Sequence, residues 1–172
     1  TAATTKFRNC GQVCISPQRF YVHEKIFEEF SALVANYAAA LTVGNGLDSE
    51  TRLGPLINKT QQQHVLQIIE QAKEEKNNII TGGTAQHPGN FVLPTVIEVT
   101  NKQSEFIHKE IFGPVMPLIP FSTIEEVITL ANQTPYGLSA YIWTNNINHA
   151  IYLSEALEFG MVGINEWAPH AT

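Results

Sequence analysis

Arg19-Phe20-Tyr21-Val22-His23, followed by Ile26, Phe30, Leu33, Tyr37 and Leu41 at helical spacing and by Gly44 and Gly46, decides the fold class of this 172-residue chain. An aromatic and β-branched pentapeptide reads as a short strand, and apolar residues recurring every three or four positions read as an amphipathic helix. Glycines just past the last apolar residue mark the helix end. The same alternation continues downstream. Thr60 to Lys76 puts Val65, Ile68, Ile69 and Ala72 on one helical face, and Ile79-Ile80-Thr81 before Gly82-Gly83 reads as a buried strand.

Phe91 to Thr100 and Val115 to Phe121 also read as strands. Their prolines (Pro94, Pro117 and Pro120) lack the N–H a ladder needs, so both are expected near a sheet edge or a crossing. Ser122-Thr123-Ile124-Glu125 reads as a capping box for a helix that turns Ile124, Val127, Ile128 and Ala131 inward and closes at Pro135 and Gly137. Ser139 to Thr144 reads as a strand. A last helix capped by Thr144 or Asn146 runs through Ile147, Ile151, Ala156 and Leu157, and Met161-Val162-Gly163-Ile164 closes the chain as a final strand. Helices alternating with strands imply a layered α/β domain on a largely parallel sheet. The sequence shows no internal repeat, low-complexity tract or linker.

Ten Lys and Arg against sixteen Asp and Glu give a formal net charge of -6. The basic residues form no stripe, so binding to a nucleic-acid backbone is not expected. No apolar run approaches the ~20 residues of a membrane span, and a soluble cytoplasmic protein is expected. The two cysteines, Cys10 and Cys14, are too few and too close for a disulfide framework and too few for a zinc set, and read as reduced thiols. The six histidines show no pair at ligand spacing, so no metal is expected. Gly44-Asn45-Gly46 lacks the third glycine of a dinucleotide fingerprint.

Cys14 lies behind Gly11-Gln12-Val13 and before a Pro-containing loop, where backbone and thiol can both face a ligand. A thiolate attacks carbonyl carbon without help from a metal. The alternative is a buried, inert thiol packed as a small hydrophobe. Arg8 could hold an anionic substrate group, or simply be a surface arginine. Glu105 and Glu110 could form an acid/base pair, or a solvated face beside Lys102 and Lys109. Trp167 and His170 follow the last strand, at the end of a sheet where ligands collect in open α/β folds, or else in a disordered terminus.

Five segments together resemble the catalytic domain of the NAD(P)-dependent aldehyde dehydrogenase family: Lys6 to Cys14, Leu53-Gly54-Pro55-Leu56-Ile57, Lys109 to Val115 with its Glu-Ile-Phe-Gly-Pro core, Pro135 to Ala140, and Gly160 to Asn165. The resemblance covers essentially the whole chain, 1–172, as one thiol-bearing catalytic domain. It implies a three-layer αβα sandwich with a mostly parallel central sheet. It also implies that Cys14 is the nucleophile, attacking an aldehyde and passing through a thiohemiacetal and a thioester, with its own backbone N–H as one oxyanion donor. Glu110 and Phe112 are implied to lie at the nicotinamide side of NAD or NADP, Val13 and Ile15 along the substrate tunnel, and Trp167 to His170 on its other wall.

Within the family, Lys6-Phe7-Arg8-Asn9 and the stretch Glu155 to Glu166 most resemble succinate-semialdehyde dehydrogenases, in which an arginine at the position of Arg8 helps bind the substrate carboxylate. The resemblance places the cofactor-binding domain and general base before residue 1 and the oligomerising strand beyond Thr172. These residues alone are therefore expected to be inactive, and the parent enzyme to be a homo-oligomer acting on a small aldehyde. Two other functions stay open on the residues: a cofactor-independent thiol hydrolase or acyltransferase using an internal histidine, and a noncatalytic binding or assembly module.

Overall fold

The computed structural model describes residues 1–167, and its chain divides into two compact units, 1–120 and 121–172. The fold is mixed α/β.

The first unit opens with helix α1 (Ala2–Phe7), a segment that reads as merely polar in sequence. Ala3 and Phe7, one turn apart, are buried on it together with Thr5 and Lys6. Strand β1 (Phe20–His23) follows, then α2 (Phe27–Ala39), α3 (Lys59–Glu74), β2 (Asn78–Thr81), β3 (Ala85–Gln86), β4 (Phe91–Val92), β5 (Thr95–Glu98) and β6 (Val115–Phe121). Four of these strands form one sheet in the order β1-β6-β5-β2, and β3 pairs with β4 as a small antiparallel ribbon.

Inside the sheet β5 and β6 run parallel, with Thr95 beside Val115 and Glu98 beside Leu118. The strands with prolines are therefore central, not peripheral, and the backbone explains how. Thr95 N–H donates to the Pro114 carbonyl (2.8 Å) and Val99 N–H to the Leu118 carbonyl (2.8 Å), so the even-numbered residues of β6 face β5. Alternation then turns Pro117, with its missing N–H, away from that ladder. Pro94 and Pro120 fall outside the paired register. Conversely β2, expected to be buried, is an edge strand paired antiparallel to β5, and its residues are exposed or half-buried.

Helix α3 buries the face its period announces, Val65, Ile68, Ile69 and Ala72, and adds Gln62. Each fully buried Val or Ile contributes roughly 1.5–3 kcal/mol relative to exposure. Helix α2 has the right period and the wrong phase. Its buried stripe is Phe27, Ser31, Val34, Ala35 and Ala38, while Leu33 is 63% and Ile26 54% exposed. Small residues on the inner stripe let α2 lie close against β5 and β2.

The second unit holds α4 (Ile124–Asn132), β7 (Ser139–Ile142), α5 (Ile147–Ala156) and β8 (Met161–Ile164), with β7 and β8 parallel. The capping box of α4 sits one residue later than expected. Thr123 Oγ1 accepts from Glu126 N–H (3.2 Å), and the Glu126 carboxylate accepts from Ser122 N–H (2.8 Å). Asn146 caps α5, accepting from Asn148 N–H at 2.9 Å. Here too the phase differs: Ala150 and Leu153 are buried, and Ile147 and Ile151 are exposed.

Candidate active site

Helix α1 stops at Arg8, whose backbone turns extended, and the chain kinks through Arg8–Gly11. Asn9, Cys10 and Gly11 take three successive left-handed conformations, with φ of 49°, 58° and 73°. Two of the three carry side chains, which disfavour this region. The turn is closed by Gln12 N–H donating to the Asn9 carbonyl (3.1 Å), and by Asn9 Nδ2 donating to the Gln12 carbonyl (3.0 Å). At Gly11 the glycine is required twice over, by its φ and because a Cβ there would overlap the carbonyl of Gly113. The thiol loop and the Lys109–Val115 segment therefore lie backbone to backbone.

Beyond the turn, Gln12 Oε1 accepts from Ile57 N–H (3.0 Å), which ties the loop to the Leu53–Ile57 segment. Val13 to Ser16 is a tight turn closed by Ser16 N–H donating to the Val13 carbonyl (2.9 Å). Cys14 is its second residue, a free and exposed thiol. The inert, buried reading thus belongs to Cys10, which is 2% exposed, and whose thiol burial pushes up to about 12 while the nearby Lys6 charge pulls it down in part. Lys6 itself is wholly buried. Burial drives its amine down to about 7, opposed by the Cys10 and Glu110 charges.

On the facing segment, Asn58 caps α3 by accepting from Gln61 N–H (2.9 Å), and Gln61 Nε2 then donates to the Ile111 (3.1 Å) and Phe112 (3.0 Å) carbonyls. The His64 ring nitrogen lies 3.4 Å from the Glu110 carbonyl. These contacts fix Phe112 in a left-handed conformation (φ 47°), half-buried, with the Glu110 carboxylate exposed beside it. Glu110, exposed, and Phe112, half-buried, thus stand two positions apart on the segment that Gly11 packs against. Glu105 belongs elsewhere, accepting from Gln71 Nε2 at 3.4 Å on a surface shared with Lys109.

Three of the five quoted segments, those centred on Cys14, Leu56 and Phe112, are thus brought together. Arg8 is exposed, and Val13 and Ile15 are half-buried on either side of Cys14. Trp167, half-buried, follows β8 in the second unit, and His170 lies outside the described residues. Sequence reasoning did not find Lys6, Gln18 or Gln61. Ala3 and Phe7, spaced i, i+4, were the one signal that a buried helical face precedes the thiol. Among the described residues no group of His, Cys, Asp or Glu could hold a metal ion, and no helix is long and apolar enough to cross a membrane.

The fold and site define a class: an α/β protein presenting an exposed, turn-held cysteine on a loop whose Gly11 packs against the segment that carries Glu110 and Phe112. Residues 1–172 match the aldehyde dehydrogenase family, and the chain belongs to it. It is 43% identical over 162 residues to the mitochondrial succinate-semialdehyde dehydrogenase of Oryza sativa subsp. japonica, covering 94% of this chain and 31% of that protein. Among solved structures, the succinate-semialdehyde dehydrogenase of Burkholderia pseudomallei superposes with a TM-score of 0.92 at 39% identity, over 95% of this chain and 34% of that one. An NAD+ complex of an aldehyde dehydrogenase from Bacillus cereus gives 0.94 at 37% identity, over 98% of this chain and 35% of that one. The chain spans about a third of the length of the curated relatives it matches.

Proposed function

We propose that this chain is the thiol-bearing catalytic part of an enzyme that oxidises a small aldehyde, of the succinate-semialdehyde type, to a carboxylic acid with NAD or NADP. The observation that carries the reading is the exposure of Cys14 in a turn whose preceding loop lies directly against the Glu110–Gly113 segment.

In this reading the Cys14 thiolate adds to the aldehyde carbon, and its backbone N–H donates to the oxyanion that forms. The adduct is a thiohemiacetal; loss of hydride from its carbon leaves a thioester, which water hydrolyses to the acid. NAD(P)+, when bound, supplies the hydride acceptor. Glu110 would accept from ribose hydroxyls, and Phe112 would pack at the nicotinamide side. Arg8 would pair with the distal carboxylate of a semialdehyde, Val13 and Ile15 would line the approach to the sulfur, and Trp167 and His170 would form the other wall. The identity of relatives from two succinate-semialdehyde dehydrogenases supports the substrate class.

We expect a polypeptide of residues 1–172 alone to have negligible dehydrogenase activity, because no dinucleotide-binding loop occurs among the described residues, and the parent enzyme to be a homo-oligomer. The test is oxidation of succinate semialdehyde by the full-length protein and its Cys14→Ala and Arg8→Ala variants. Cys14→Ala should abolish turnover, and Arg8→Ala should raise KM for succinate semialdehyde while sparing an uncharged aldehyde. Turnover that survives Cys14→Ala ends the nucleophile assignment; equal effects of Arg8→Ala on both aldehydes ends the semialdehyde assignment.

A further inference from the structure

Behind the thiol turn lies a polar chain that the reaction outlined above does not use. Ser16, whose N–H closes the turn over Cys14, offers its carbonyl to Gln18 Nε2 at 3.1 Å. Gln18 Oε1 in turn accepts from Lys6 Nζ at 3.4 Å. Lys6 is wholly buried, reached from helix α1, and its amine interacts electrostatically with Cys10 beneath the loop and with Glu110 on the facing segment. Long charged side chains are almost never fully buried without a partner.

The orientation of the Gln18 amide follows from its neighbours. A carbonyl can only accept, so the NH2 end must face Ser16, and the oxygen end is left to meet the amine. A group that donates at the position of Lys6 Nζ therefore selects the one amide orientation that grips the turn. An apolar group there would leave the Gln18 oxygen unmatched and the grip on Ser16 weaker.

We propose that Lys6 is a positioning residue for the Cys14 turn, acting through Gln18 to hold the Ser16 carbonyl and so to fix the direction from which the sulfur meets a carbonyl carbon. The proposal rests on the reading of Cys14 as the nucleophile. It differs from an effect on thiol ionisation, and the two are separable because attack on a planar carbonyl demands a trajectory that alkylation by a small, mobile reagent does not.

The experiment uses the full-length protein without cofactor and two reagents. 4-Nitrophenyl acetate transfers its acetyl group to the Cys14 sulfur, forming a thioester and releasing nitrophenolate. Iodoacetamide alkylates the same sulfur with loss of iodide. Lys6→Met should slow the nitrophenolate burst about tenfold while alkylation stays within about twofold. Gln18→Glu, which keeps an acceptor for Lys6 but has no N–H for Ser16, should do the same, and the Lys6→Met/Gln18→Glu double variant should be no slower than the worse single one. Gln18 is only half-buried, so its variant reports even where Lys6→Met fails to fold. A burst unchanged in the variants, a burst and alkylation falling together, or additive losses overturn the proposal. A burst that persists in Cys14→Ala overturns the nucleophile assignment itself and this proposal with it, whereas a Cys14-dependent burst untouched by Lys6→Met and Gln18→Glu overturns the positioning role alone.

Discussion

Gly11 and Gly113 meet with no room between them: a single methyl on Gly11 would overlap the Gly113 carbonyl, and the backbone at Gly11 is left-handed as well. This contact joins the loop that carries Cys14 to the loop that carries Glu110 and Phe112. Two sequence segments a hundred residues apart become one surface because Gly11 has no side chain at the crossing, while a side chain on Gly113 would instead meet Val65 of α3.

Gly11→Ala should therefore destabilise the protein by about 2–4 kcal/mol, combining a strained φ with overpacking against backbone that has nowhere to move. Gly46→Ala is the matched control, since nothing lies within 4 Å of a Cβ there and its φ is ordinary. That change should be neutral or stabilising by about 0.4–1 kcal/mol. Urea midpoints of the two variants check both, and equal midpoints would contradict the crossing.

Gln12 fastens the same loop on its other side through Ile57 N–H at 3.0 Å. Both ends of that bond are near solvent, so water replaces it in part, and Gln12→Ala should cost only about 0.5–1.5 kcal/mol. Catalysis should suffer more than stability, because a loosened loop displaces the sulfur. The expected pattern is kcat reduced on the order of tenfold or more with a Tm shift of a few degrees. A Tm loss with kcat unchanged would leave Gln12 a purely structural residue.

Helix α2 shows what the sequence reveals and where it stops. Apolar spacing announces a helix between β1 and Gly44, but two neighbouring stripes satisfy the same spacing. One carries the large residues Ile26, Phe30, Leu33 and Tyr37, and the other carries Phe27, Val34 and the small Ser31, Ala35 and Ala38. Hydrophobicity favours the first; close approach to the sheet selects the second, and only tertiary packing decides. The prolines of β6 mislead for a related reason, since which neighbour a missing N–H faces depends on register. At the candidate site, Cys14, Glu110 and Phe112 stand in short motifs, which is what makes them candidates in the sequence. The contacts that brace them, Lys6 to Gln18, Gln12 to Ile57 and Gln61 to Phe112, span 12 to 51 positions of chain, and no local pattern encodes such partners.

The phase of α2 is itself measurable. Val34→Ala, at 6% exposure, should cost about 1–2.5 kcal/mol as lost burial plus cavity. Leu33→Ala, at 63% exposure, removes a larger side chain yet should stay within about 0.5 kcal/mol. The reverse order in denaturant unfolding would return α2 to the phase its hydrophobicity suggests.

Lys6 and Cys10 make opposite and separable contributions to stability as pH rises. The Lys6 amine falls from 10.5 when exposed to about 7 in the fold, so between those values the unfolded chain binds more protons and the fold gains stability with pH. The Cys10 thiol rises from 9.0 to about 12, so over that window the folded chain holds the extra proton and stability declines with pH. From about pH 7 to 9 only the lysine acts; between 9 and 10.5 the two oppose each other; above 10.5 the cysteine acts alone. A full one-proton difference is worth about 1.4 kcal/mol per pH unit. Subtracting the unfolding free energy of Lys6→Met from that of the natural chain removes the titrations that do not depend on Lys6, and the coupled Cys10 thiol enters only above about pH 9. The difference should climb in favour of the natural chain from pH 7 to 9, with Lys6→Met the more stable protein at pH 7, where the buried amine still costs energy to hold. A flat difference across that interval would mean that the Lys6 amine is not held away from water.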